Sequence, residues 1–326
     1  DGLDHIFLCK ATTFLDIVNS KVKSVTLSGI SFSGGASVRD GALINTYKMS
    51  CNSALISDCT FHGVTGTVIN SEYSDNFVIN GNVFDNCPKR CISLSATCNN
   101  IRIKGNKFNR CGTGLGAYVC VTVCGDNYLI SDNTFCDFGY GGIFTGCTTT
   151  QRQGKDPSGK ITGNKLFMTG SFLDNVGKYT MMDSGAIYLS TCHGKTSIQG
   201  NYIHDIGGIA DNRGIFCDDG ARNLEIRDNV VLNILNSYSI DSRRVAAFEK
   251  DAGPANVNNI IEGNLVNAPI RFEGNESGDN CILGENFILK NNDGSFAAIK
   301  TKNISKENKQ AKIQSLSRTK WEATVK

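Results

Sequence analysis

The chain of 326 residues carries 33 Lys or Arg against 31 Asp or Glu, a near balance that gives no global electrostatic reason to expect nucleic acid or a membrane surface as partner. Thirty-five glycines with only four prolines point to an all-β chain with many tight turns, and no apolar run reaches the roughly eighteen residues of a membrane-spanning helix. Fourteen cysteines are scattered through the chain without zinc-type CxxC pairs, so they do not mark a small disulfide-stapled domain.

One phrase recurs along the chain. It runs INGNVF (79–84), IKGNKF (103–108), ISDNTF (130–135), ITGNKL (161–166), IQGNYI (198–203), IRDNVV (226–231) and IEGNLV (261–266), with degenerate copies LSGISF (27–32), ISDCTF (56–61) and LGENFI (283–288). Copies spaced 22 to 37 residues apart, with insertions between them, are the signature of a solenoid. Each phrase predicts a strand entering a tight turn: the leading Ile faces inward, Gly or Asp permits an unusual backbone, and Asn ladders with its counterpart in the next coil. A second strand follows in each period, at CISL (91–94), GIFT (142–145), AIYL (186–189), GIFC (214–217), VAAF (245–248) and PIRF (269–272). Alternation puts Ile143, Ile187, Ile215, Ala246 and Ile270 inside.

This repeat resembles the right-handed parallel β-helix of the pectate-lyase-like superfamily over roughly residues 14–303. The resemblance implies about ten coils and places the Asn turn between the second and third sheets. GIFC then falls in the first sheet, whose outer face carries the substrate groove in that superfamily. Residues 1–303 are assigned to the solenoid and 304–326 to a basic polar tail or C-terminal cap. The start in mid-coil predicts that a capping segment precedes residue 1, because solenoid ends need cover. Cys87 and Cys111 share an inward column with Val64, Phe138, Ile206 and Ile234, and Cys217 one with Leu189 and Phe248. They read as buried free thiols in preference to disulfides or a metal site.

Aligning the coils on the inward Ile gives outward columns. One residue later come Ile69, Ser93, Cys120, Phe144, Tyr188, Phe216, Ala247 and Arg271. Three residues later come Ser71, Ser95, Thr122, Gly146, Ser190, Asp218, Glu249, Glu273 and then Lys302. Three carboxylates stacked about 4.8 Å apart would repel, so one is expected to keep its proton near neutrality. Glycoside hydrolysis needs such a pair, one carboxyl as acid and another as base or nucleophile. Phe144, Tyr188 and Phe216 form an outward aromatic strip, read either as a sugar platform or as packing under a loop. Asp183 and Asp211 occupy equivalent positions before successive strands. Arg213, Arg244 and Arg271 either hold a substrate carboxylate or neutralise the acids. His204 is a base candidate against a capping role, and Asp219 already belongs to the turn.

DSGAIY, GNYIHDIG and GIFCDDG together resemble β-helix glycoside hydrolases, in which acids on neighbouring first-sheet strands perform catalysis. The resemblance implies Asp218, Asp219 and Glu249 as catalytic, with Asp183 and Glu273 as further candidates, no cofactor, a poly- or oligosaccharide substrate and an extracytoplasmic setting. The pattern departs from polygalacturonases, since Ser190 stands on the preceding coil and Arg-Phe-Glu at 271–273. Two alternatives stay open. A polysaccharide lyase or uronate epimerase would draw on Lys250, Arg271 or His204, with calcium at the acidic column. A glycan-binding solenoid of the tailspike or adhesin kind would use the same face without catalysis.

Overall fold

The computed structural model describes residues 13–18, 22, 24–35, 41–47, 53–147, 156–173, 183–191, 193–207, 211–243, 257–273, 280–297 and 323–324. The repeat builds the coil from its turn outward. Gly29, Asp58, Gly81, Gly105, Asp132, Gly163, Gly200, Asp228 and Gly263 all take φ between 52° and 69°, the left-handed region open to Gly and tolerated by Asp. That turn sends the chain from one sheet into the next. Repeated around each coil, it yields three parallel sheets of ten, ten and eleven strands.

From Gly81 to Gly263 the residue after each turn is a buried Asn, and its amide holds three elements together. In Asn133 the Nδ2 group donates to the Ile103 carbonyl at 3.0 Å and to Asn164 Oδ1 at 2.9 Å, and the backbone N–H donates to the same Oδ1 at 3.0 Å. The pattern repeats through Asn82, Asn106, Asn164, Asn201, Asn229 and Asn264, and at the first full turn the Cys59 N–H donates to Asn82 Oδ1. Beside the ladder, Phe32, Phe61, Phe84, Phe108 and Phe135 stack face to face with centroids 4.5–5.0 Å apart. Ile columns fill the remaining interior, with Ile56, Ile79, Ile103, Ile130, Ile161, Ile198, Ile226 and Ile261 at most 2 % exposed.

Two parts of the expected register change. Along the first sheet, Ile69 lies inward opposite Ile92 and Val121, so the outward column is Asn70, Ser93, Thr122, Phe144, Tyr188, Phe216. At Ile69 the slip is one residue, which exchanges the two faces; in Val119–Val123 the half-buried Thr122 takes the outward place expected of Cys120, two residues away, because the apolar run 119–121 carries no alternation to fix it. The strand after Asn212–Asp218 is Ile240–Ser242, pairing Ile215 with Ile240, Phe216 with Asp241 and Cys217 with Ser242. Ile240 continues a column of Ile from Ile187 to Ile270, where the smaller Ala246 would leave a void. Segment 245–248 lies outside the described residues.

Cys87 and Cys111 are fully buried free thiols in the expected column, and Cys217 lies between Leu189 and Ser242. The coil strands run from Leu15–Val18 to Phe287–Lys290, and Ala323–Thr324 pairs with the last of them. Residues 304–322 lie outside the described residues, and no helix among the described residues is long and apolar enough to cross a membrane.

Asn133→Ala strands the Asn106 amide donors and the Ile103 carbonyl, at about 1–3 kcal/mol for each buried group left unpaired. Asn109→Ala removes only a half-buried bond to Asp85, worth about 1 kcal/mol or less. Denaturant midpoints should fall far more for the first variant than for the second. Equal losses would mean the ladder is not what fixes the coils.

Candidate active site on the first sheet

Outward residues of Ser184–Ser190, Asn212–Asp218, Ile240–Ser242 and Ile270–Phe272 converge on one buried carboxylate. Asp241 is fully buried, in register between Phe216 and Arg271. Its Oδ2 accepts from Arg213 Nε at 2.9 Å, Arg243 Nε at 3.2 Å and Arg271 Nη2 at 2.6 Å, and its Oδ1 accepts from Arg271 Nε at 2.6 Å. Three guanidinium groups thus share one acid. Arg213, also fully buried, donates from Nη1 to Asp183 Oδ1 at 3.1 Å and to the Asp211 carbonyl, and its Nη2 lies 3.7 Å from Asp211 Oδ1. Arg243 Nη2 reaches Asp183 Oδ1 at 3.6 Å. A charge buried this deeply is tolerated only with such compensation. The bond to Asp241 pushes Arg271 further up from its already high pKa.

The second centre is a carboxyl pair at the strand end. Asp218 is 7 % exposed and its Oδ2 accepts from the Tyr188 hydroxyl at 2.7 Å. Burial raises its pKa above the ordinary carboxylate value, and the charges of Asp219 and Asp183 add to this, against the Tyr188 and Asp219 N–H bonds. Burial also pushes the Tyr188 phenol far up, reinforced by its bond to Asp218, so Tyr188 remains protonated. Asp219 takes φ 51°, and this left-handed turn swings its carboxylate back to Ser190 Oγ at 2.8 Å. Ser190 is the residue in register with Asp218, so both adjacent carboxyls serve the same outer face.

Aromatic rings frame the pair. Tyr188 stacks on Phe216 at 4.9 Å and meets Phe144 edge-on at 5.4 Å, while Tyr140 donates to the Asp183 carbonyl at 2.6 Å. Phe216 is fully buried, covered by Arg213 at 4.0 Å, Arg243 at 4.9 Å and Tyr188. It is a platform for guanidinium, with no face left for a sugar. Phe144 and Tyr140 are half-buried and lie nearer solvent.

The structure therefore gathers Asp183, Tyr188, Arg213, Phe216, Asp218, Asp219 and Arg271, with Phe144 beside them. It does not form the expected three-acid column. Arg243 follows Ser242 at the level of Asp218, and Glu273, exposed, comes one coil later with its N–H on the Ser242 carbonyl at 2.8 Å. Glu249, Lys250 and Arg244 lie outside the described residues. His204 belongs to Tyr202–Ile206 in the third sheet, where it is buried, stacked on Phe167 at 5.0 Å, with Nδ1 2.7 Å from Asp205 Oδ2. Its place on another sheet separates it from the arginines. Asp241, Arg243 and Tyr140 were not legible: aligning IDS (240–242) instead of VAAF would have put Asp241 in the aromatic column and Arg243 in the acid column. Among the described residues, the group of three or more candidate metal ligands is Cys87, Cys91 and Cys111 in the core, not the acids of this face.

A family model described as a right-handed beta helix region matches residues 5–154. Among solved structures, an alginate lyase from Paenibacillus sp. str. FPU-7 is similar at 15% identity and a TM-score of 0.40, over 84% of this chain and 90% of that one. No curated protein matches the chain. The fold is a right-handed parallel β-helix of about ten coils.

Removing one partner of the buried pair, as in Arg213→Met or Asp241→Ala, should cost roughly 3–5 kcal/mol, and the double variant should lose less than the sum. Strict additivity in denaturant midpoints would show that the pair is not coupled. For Asp218 the sign is opposite. Its folded pKa lies above the unfolded value, so its contribution to stability is complete below the unfolded pKa and is lost as pH rises through the folded one. Asp218→Asn should therefore unfold at higher denaturant than the parent at neutral pH, with the gain vanishing in acid.

Proposed function

We propose that this chain is a carbohydrate-active enzyme that cleaves a glycosidic bond in a poly- or oligosaccharide, with Asp218 as general acid and Asp219 as the base or nucleophile. The observation that carries this reading is the adjacent carboxyl pair in unlike environments: Asp218 desolvated and held by Tyr188, Asp219 half-buried and turned onto Ser190. A carboxyl whose pKa is raised by burial holds its proton to higher pH and can pass it to the departing glycosidic oxygen, while its less buried neighbour stays available to a water or to the anomeric carbon. Tyr188 is a positioning residue: it orients Asp218 and, by donating to it, limits the rise of its pKa. The half-buried rings of Phe144 and Tyr140 offer apolar surface beside the acids for a sugar ring. An extracytoplasmic setting, where such polymers occur, belongs to the same proposal.

A second reading rests on Arg243 and Arg271, whose side chains are 24% and 28% exposed above Asp241. Guanidinium edges left at a surface suit a uronate carboxylate, and with that charge neutralised a base could remove the adjacent proton in β-elimination or epimerisation.

Incubation with a panel of neutral and uronate-containing polysaccharides separates these readings. Hydrolysis gives new reducing ends alone, whereas elimination adds an unsaturated uronate that absorbs in the ultraviolet. Asp218→Asn and Asp219→Asn should each lower kcat by about 10²–10⁴-fold. Tyr188→Phe should lower kcat less and move the alkaline limb of the pH profile upward, since it removes a bond that favours ionised Asp218. If both Asp variants turn over at the parent rate, the pair is not catalytic; if instead the parent forms no product with any polymer and both variants keep its glycan affinity, the face is a binding surface.

A further inference from the structure

The core contains a cluster of thiols that the reading above does not use. Cys87, Cys91 and Cys111 are each fully buried, and their three sulfur atoms lie within 4.8 Å of one another. Cys120, also fully buried, is adjacent, with its carbonyl accepting from the Cys91 N–H at 2.9 Å. Two inward columns meet at this corner between the third and first sheets. One holds Val64, Cys87, Cys111 and Phe138, and the other Val68, Cys91, Cys120 and Gly142. Both columns change from apolar residues or Gly to Cys in the same two coils and back again in the next. Cysteines acting only as small hydrophobes have no reason to coincide in this way.

We propose that Cys87, Cys91 and Cys111 form a site for a thiophilic metal ion, Zn²⁺ in the first instance, closed by the neighbouring Cys120 turning its sulfur in from outside that 4.8 Å group. Zinc–sulfur bonds of about 2.3 Å in a tetrahedral site put the sulfurs about 3.8 Å apart, so closure needs only small side-chain movements. With no sulfur reaching solvent, the ion enters as the coils close during folding.

The test is to unfold the full chain, refold it without oxygen with Zn²⁺ or Co²⁺, desalt it, and count metal per chain by elemental mass spectrometry. The expected result is one ion per chain and, with Co²⁺, an intense sulfur-to-cobalt charge-transfer band whose strength reports the thiolate ligands. Cys91→Ala and Cys111→Val should reduce retained metal at least about tenfold. Cys98→Ser, which alters a buried thiol bonded to the Ser71 carbonyl at 3.4 Å, should retain it. Absence of retained metal and of the band in the parent chain overturns the proposal whatever the variants do. So does a non-reduced mass two hydrogens lighter with Cys87 joined to Cys111, which would make the cluster a disulfide site.

Discussion

At nine corners between the second and third sheets the chain turns through a residue of positive φ and leaves backbone groups facing the buried interior. The asparagine that follows seven of them resolves this, because its side-chain amide donates to a strand carbonyl of the coil before and accepts from that coil's own asparagine. Since the acceptor for one coil is the side chain of the next, each coil is complete only when its neighbour is present. Everything else in the molecule depends on that coupling. It fixes the stacking register, and register decides which side chains become neighbours.

Register explains why the outer face of the first sheet combines residues far apart in the chain. Asp241 meets Arg213 and Arg271 because Ile240 pairs with Ile215 and Ile270 on either side. A fully buried carboxylate with three guanidinium partners adds little net stability over an apolar alternative, but leaving any partner alone is costly. The arrangement therefore acts as a lock on geometry. Arg213 and Arg243 cover Phe216, Phe216 supports Tyr188, and Tyr188 holds Asp218.

The solenoid was legible because its signal is local: Gly or Asp before Asn, with Ile three residues earlier, is enough to place a turn, and seven full copies with three degenerate ones place the sheets. Asp183 and Asp211 were legible as equivalent positions for the same reason. Long-range side-chain direction was not. VAAF looked like the better strand because it is apolar, yet Ile240–Ser242, with two polar residues in three, takes the place in the sheet. An outward strand position covered by neighbouring charges tolerates Asp, and hydropathy cannot reveal that cover. The slip at Ile69 has a related cause, since runs apolar on both faces carry no phase. Asp219 could not be oriented from sequence because its φ decides whether the carboxylate returns to the sheet or leaves it.

The Asp-Asp dipeptide gains its chemistry from unequal surroundings, not from adjacency. Alternation alone would send two successive strand residues to opposite faces, one into the apolar core. Ending the strand at Asp218 and placing Asp219 in a left-handed turn brings both to one face without burying either in hydrocarbon. The same step separates their environments, since Asp218 remains under Tyr188 while the less buried Asp219 reaches back to Ser190. A single backbone torsion therefore both assembles the pair and makes its members unlike. Extending the strand by one residue would abolish both at once.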